Sequence, residues 1–110
     1  MKVSEIAEKL ELSYGSGKES PDKDAEGCYI GDLLSLAMAK VDVGNVWITI
    51  QTNINVVAVA SLKEAACVIV VDGFEIDEAV KAKADAEEVI ILETPLSAYE
   101  TAIRLMSLGI

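Results

Sequence analysis

The stretch from Val46 to Val71 limits what this chain can fold into more than any other. It reads V-W-I-T-I, then Q-T-N, then I-N-V-V-A-V-A-S-L-K-E-A-A, then C-V-I-V-V. Two short apolar runs rich in β-branched residues flank a segment of mixed character. Runs without polar alternation suit strands buried on both faces, as in a parallel sheet. Two parallel strands need a crossover between them, so the intervening segment should be helical. Val56, Val57 and Val59 favour a strand there, yet Ile54, Val57, Ala58, Leu62 and Ala65 keep helical spacing, and Asn53 can cap. The stretch is one βαβ unit.

A third apolar run, Val89 to Leu92, follows a segment from Ile76 to Glu87 whose inner stripe is Ile76, Ala79, Val80 and Ala84. Asp77, Glu78, Lys81 and Asp85 should face water. Ser97 and Glu100 have capping-box spacing and open the last helix. Its predicted inner stripe is Tyr99, Ala102, Ile103 and Met106, with Leu105 and Leu108 widening the apolar face into a candidate dimer surface. Upstream, Ser4 is the expected cap of a short first helix, and Leu10, Leu12 and Tyr14 alternate as in a strand. Gly15 to Glu26 is polar and punctuated by Gly and Pro, the pattern of a mobile surface loop. G-C-Y-I suggests another strand. Gly31-Asp32 then opens a helix through Leu33, Leu34, Leu36, Ala37, Met38 and Ala39, with Asp32 as cap or first-turn residue. That helix is apolar almost all round and should be covered on more than one side. The succession predicts a single α/β domain over 1–110, a largely parallel sheet with flanking helices.

Composition narrows the function. Hydrophobic residues make up 52% of 110 residues, which favours self-association in so small a domain. The net charge of -10 argues against nucleic acid and anionic membranes as partners. No apolar run approaches the ~20 residues of a membrane span. The charged, amphipathic N-terminus is unlike a signal peptide, and the expected location is the cytoplasm. With no histidine, the commonest general base and transition-metal ligand are missing. Cys28 and Cys67 lack metal-ligand spacing and read as free, buried thiols.

In an open α/β sheet, ligands bind beyond the carboxyl ends of the strands. Those ends carry Gln51-Thr52-Asn53, Asp72-Gly73 and Thr94-Pro95, a polar rim suited to a small neutral or anionic group. The same residue types also serve as caps and turns. Gly17-Lys18 superficially resembles a phosphate loop, but Glu19 follows the lysine and the required spacing is absent. No serine has a histidine or lysine partner for nucleophilic catalysis. Asp32 with Asp72 could hold a divalent ion, although no spacing demands it. Trp47 and Tyr99 read as core or interface aromatics.

Three segments together are similar to the DRTGG domain family: G-C-Y-I-G-D-L-L-S-L-A-M-A, the Val46 to Gly73 stretch, and T-P-L-S-A-Y-E-T-A-I-R-L. The family resembles the N-terminal domain of HPr kinase/phosphorylase, and its members also occur as accessory domains of CBS-containing proteins. The naming motif departs from the pattern: Asp24-Ala-Glu-Gly27-Cys28 keeps an acid and one glycine but lacks the Arg, Thr and second Gly. The resemblance implies an α/β fold, dimerisation and a regulatory or ligand-sensing role, with no catalytic residue and no cofactor. The expected ligand site comprises Gly31, Asp32, Thr52, Asn53, Asp72 and Thr94. Asp32 would accept hydrogen bonds, Thr52 and Asn53 would orient a small molecule or nucleotide, and Gly31 would allow close approach. The expected partners are a second copy and a partner enzyme. The alternative is a pure protein-protein interaction subunit without a small-molecule ligand.

Overall fold

Four of the five strands pair in parallel, and the three inner ones among them are buried on both faces of the sheet. The computed structural model describes residues 1–110. Its elements, in order, are α1 (Val3–Lys9), β1 (Ser13–Ser16), β2 (Cys28–Ile30), α2 (Leu34–Lys40), β3 (Val46–Thr49), α3 (Asn55–Leu62), β4 (Cys67–Val70), α4 (Glu78–Ala86), β5 (Ile91–Glu93) and α5 (Ala98–Ser107). The sheet order is β1-β5-β4-β3-β2, with β2 to β5 parallel and β1 antiparallel to β5.

Successive residues of one strand enter opposite cores, as the strand pleat requires. Val46 and Ile48 of β3, with Cys67 and Ile69 of β4, pack against Val3 and Ile6 of α1 and Leu105 of α5. Trp47, Val68 and Val70 pack on the other face against Ala37 of α2, Val56 and Val57 of α3, and Val80 and Ala84 of α4. The result is a three-layer α/β/α arrangement. The predicted crossover from Val46 to Val71 is present as read. So are the helix from about Ile76 and the Ser97 cap, whose Oγ accepts from the Glu100 N–H at 3.2 Å.

Several local expectations are corrected. Ser4 lies inside α1, and Lys2 occupies the cap position without a side-chain hydrogen bond. Asp22 supplies the missing acceptor by taking the Ser4 N–H at 3.1 Å and also its hydroxyl. The Gly15–Glu26 segment is therefore tied down: Val3 N–H donates to Lys23 O, Ala25 N–H to Met1 O, and Gly17 N–H to Asp85 Oδ1. Ala79, expected on the inner stripe of α4, is exposed, while Asp77 faces water as expected and also caps the helix by accepting from Val80 N–H. In α5 the buried residues are Thr101 and Leu105, while Tyr99, Ile103 and Met106 face outward. In α2 only Ala37 is buried, so the apolar residues around it are not covered within one chain. Cys67 is buried, but Cys28 on the edge strand is exposed.

Candidate functional site

The carboxyl ends of β2, β3, β4 and β5 lie along one edge of the sheet because the four strands are parallel and adjacent. The chain leaves these ends in two directions. After β2, β3 and β4 it passes to α2, α3 and α4 on the Trp47 face. After β5 it passes to α5 on the Val46 face. The exits of β4 and β5 therefore diverge, and such a switch point opens a crevice between two strand ends. A cavity of about 320 Å³ sits there, lined by Ser13, Gly73, Phe74, Glu75, Glu93, Thr94 and Pro95. Ser13 takes part because β1 is antiparallel and begins opposite Glu93.

Two backbone bonds hold the floor of this crevice. Asp72 N–H donates to Leu96 O at 2.8 Å and Gly73 N–H to Thr94 O at 3.0 Å. Asp72 and Gly73 both adopt positive φ, 61° and 79°, which turns the chain sharply and exposes the Asp72 carboxylate. The Glu93 carboxylate accepts from Ile76 N–H at 2.8 Å, fixing the approach to α4. Phe74, the one phenylalanine in the chain, is half exposed at the lip.

The six residues expected to bind ligand occupy this edge but do not form one cluster. Asp72 and Thr94 flank the crevice. Thr94 is buried, and its Oγ1 accepts from Leu96 N–H at 3.2 Å, a turn role. Gly31 and Asp32 follow β2, and Thr52 and Asn53 follow β3. The Asp32 carboxylate does not cap α2. One of its oxygens accepts from Thr49 Oγ1 and from Ile50 N–H, each at 2.9 Å. At Gly31 the close approach is internal. A Cβ there would lie 2.6 Å from the Tyr29 hydroxyl, and the Gly31 carbonyl accepts from Trp47 Nε1 at 2.9 Å. Asn53 Oδ1 accepts from Asn55 N–H at 2.8 Å, whereas the Thr52 hydroxyl makes no hydrogen bond. Asp32 and Asp72 sit at the ends of β2 and β4 with β3 between them, roughly 10 Å apart at the usual strand spacing. No third Cys, Asp or Glu joins them in a group arranged to hold a metal.

The rim is acidic. Segments 30–34, 50–55, 71–77 and 93–98 carry Asp32, Asp72, Glu75, Asp77 and Glu93, and neither lysine nor arginine. Bare phosphate is disfavoured there by like charge, and hydrogen-bond donors are favoured. Sequence reasoning missed Phe74, Ser13, Glu75 and Glu93. A lone Phe directly after an Asp-Gly turn was a signal for the first, but pairing of β1 with β5 brought in Ser13.

A larger depression of about 460 Å³ lies at the opposite edge, among Pro21, Lys23, Asp24, Glu64, Glu87 and Glu88. It faces the amino ends of the strands, and its lysine is already bonded to Glu88 O at 2.8 Å. The switch-point crevice is the better candidate on topology despite its smaller volume. No group of three or more Cys, Asp or Glu side chains is arranged to hold a metal. No helix is long and apolar enough to cross a membrane.

Comparison with known proteins bears on the fold and the family. The family model described as the DRTGG domain matches residues 5–108. A similar solved structure is that of the CBS and DRTGG domains of the regulatory region of Clostridium perfringens pyrophosphatase, complexed with the activator diadenosine tetraphosphate. The TM-score is 0.74 at 11% identity, over 94% of this chain and 45% of that one. The chain thus spans less than half of that neighbour. No match was found among curated proteins.

Proposed function

The chain belongs to the DRTGG domain family, and on that premise we propose that it is a non-catalytic regulatory domain that senses a small molecule and acts, as a homodimer, with a partner enzyme. The observation that carries the reading is the crevice at the switch between β4 and β5, where the chain leaves adjacent strands toward opposite faces. The structural neighbour supports it by analogy, since that protein's regulatory region is bound to a nucleotide activator. The ligand sits at the Asp72 and Thr94 end of the rim, with Gly31, Asp32, Thr52 and Asn53 further along the same edge. Phe74 supplies an apolar face on which a ring can stack. Asp72, Glu75 and Ser13 accept hydrogen bonds from hydroxyl or amino groups. A nucleotide would enter by its nucleoside end, leaving its phosphates in solvent.

A thermal-shift screen of nucleosides, nucleotides and small polyols tests this. A saturating ligand raises the melting temperature by several degrees in a domain of this size. The shift should vanish in Asp72→Ala and Phe74→Ala while both variants stay folded. A screen without any shift removes the sensing role. The second reading is then preferred, that of a protein-protein interaction subunit, and exposed Leu33, Leu36, Tyr99 and Met106 favour it.

A further inference from the structure

The two edges of the sheet are finished differently. At β1 the register slips between Tyr14 and Ser16, the following Gly17 N–H is taken by Asp85, and Lys18 stands next in sequence. Bulges, lysines and side-chain contacts of this kind blunt an edge against further pairing. The β2 edge has none of these features. Cys28–Ile30 contains no charge, proline or bulge, and it pairs with β3 alone. In that parallel ladder Gly27 O and Gly31 N–H bond to β3. By alternation the N–H and C=O groups of Cys28 and Ile30 point away from the sheet.

Exposed apolar side chains belong to this strand and to the helix that follows it. Ile30 is 51% exposed, Leu33 60% and Leu36 47%. From Gly27 to Ala39 the one charged residue is Asp32, and its carboxylate is already bonded to Thr49 and Ile50. In a molecule of net charge -10, two copies repel over most of their surface but not here. An isologous contact must also set an element against itself, which for an edge strand gives an antiparallel pair about a two-fold axis.

We infer that the β2 edge pairs with β2 of a second copy, joining two five-stranded sheets into one, with Ile30, Leu33 and Leu36 buried at the junction. Full overlap of the three residues sets Cys28 opposite Ile30 of the second copy in hydrogen-bonded pairs. The inference deepens the homodimer reading above and rests on it. It also explains why α2, apolar almost all round, is uncovered within one chain. α5, with exposed Tyr99, Ile103 and Met106, is the rival surface, but it carries the Glu100–Arg104 ion pair and no unpaired strand.

Sedimentation of the full chain across a concentration series is the test, with circular dichroism to check folding. The expected mass is twice 11.7 kDa. Ile30→Lys should give a folded monomer, while Met106→Glu on α5 should remain dimeric. Hydrogen-bonded antiparallel partners have Cα atoms about 5.5 Å apart, within disulfide range. Ile30→Cys, treated with copper-phenanthroline, should therefore yield a covalent dimer, and the same variant with Cys28→Ser should not. A dimer that survives Ile30→Lys and dissociates in Met106→Glu overturns this surface but leaves the homodimer reading standing. A chain that is monomeric at every concentration overturns both.

Discussion

Asp32 and Thr49 are joined by a hydrogen bond of 2.9 Å that fastens the end of β2 to the end of β3. The same carboxylate oxygen takes the Ile50 N–H, and Thr49 Oγ1 in turn accepts from Gln51 N–H at 3.1 Å. Thr49 is buried, so loss of the carboxylate leaves its hydroxyl short of an acceptor. Asp32→Ala should cost about 1–3 kcal/mol. The expected readout is a lower urea midpoint without added ligand. This separates Asp32 from Asp72, whose exposed carboxylate can be removed with little loss of stability.

The cap that Asp22 provides to α1 should make stability pH-dependent. Its carboxyl is held below the usual carboxylate range, chiefly by the Ser4 hydroxyl, with help from the Ser4 and Lys23 N–H groups and the charge of Lys2. A depressed folded pKa means that the contribution is complete above the unfolded value of about 3.9 and lost as pH falls through the folded one. Asp22→Ala should lower stability by about 1 kcal/mol at neutral pH. The gap between the variant and the parent melting temperatures should narrow as pH falls below the unfolded value of about 3.9. A gap unchanged in acid would rule the carboxylate out as its source.

Gly17 and Gly73 share a φ of +79° but differ in their surroundings. A Cβ on Gly17 would lie 2.7 Å from Ile90 Cα, whereas nothing lies within 4 Å of one on Gly73. Gly73→Ala should cost about 1 kcal/mol, for the left-handed backbone alone. Gly17→Ala should cost about 3 kcal/mol, because β1 must also move off β5. Equilibrium denaturation of the two variants checks the order.

Trp47 is fully buried, and its indole N–H reaches the Gly31 carbonyl at 2.9 Å. Trp47→Phe removes that donor and leaves a small void, for an expected loss of about 2 kcal/mol. The parent protein should show blue-shifted tryptophan emission, moving to the red in one step on unfolding. Coincidence of that step with loss of helical circular dichroism checks that Trp47 reports the core.

Burial pushes the Cys67 thiol up to about 12, so it is not a thiolate at neutral pH. Alkylation followed by mass spectrometry should leave Cys67 unmodified in the folded protein. Label on Cys67 should appear only at denaturant concentrations that unfold the chain. Native-state labelling of Cys67 would show that β4 opens locally.

The sequence by itself determined the parallel sheet, because V-W-I-T-I, C-V-I-V-V and V-I-I-L carry no polar alternation. Such runs are stable only when covered on both faces. Joining parallel strands then forces the helix at Asn55–Leu62 despite its valines. Local capping chemistry was equally legible at Ser97, where donor and acceptor lie three residues apart. Tertiary structure alone decided what depends on partners distant in sequence. Ser4 is held by Asp22, Asp32 by Thr49, and the loop at Gly17 by Asp85. The buried face of α5 is Thr101 and Leu105 instead of the stripe through Tyr99, since its apolar pattern fits more than one rotation about the helix axis. The crevice beside Asp72 and Thr94 belongs to this second class. It exists because α5 crosses to the face opposite α4, and the side a helix takes is settled by how both cores fill.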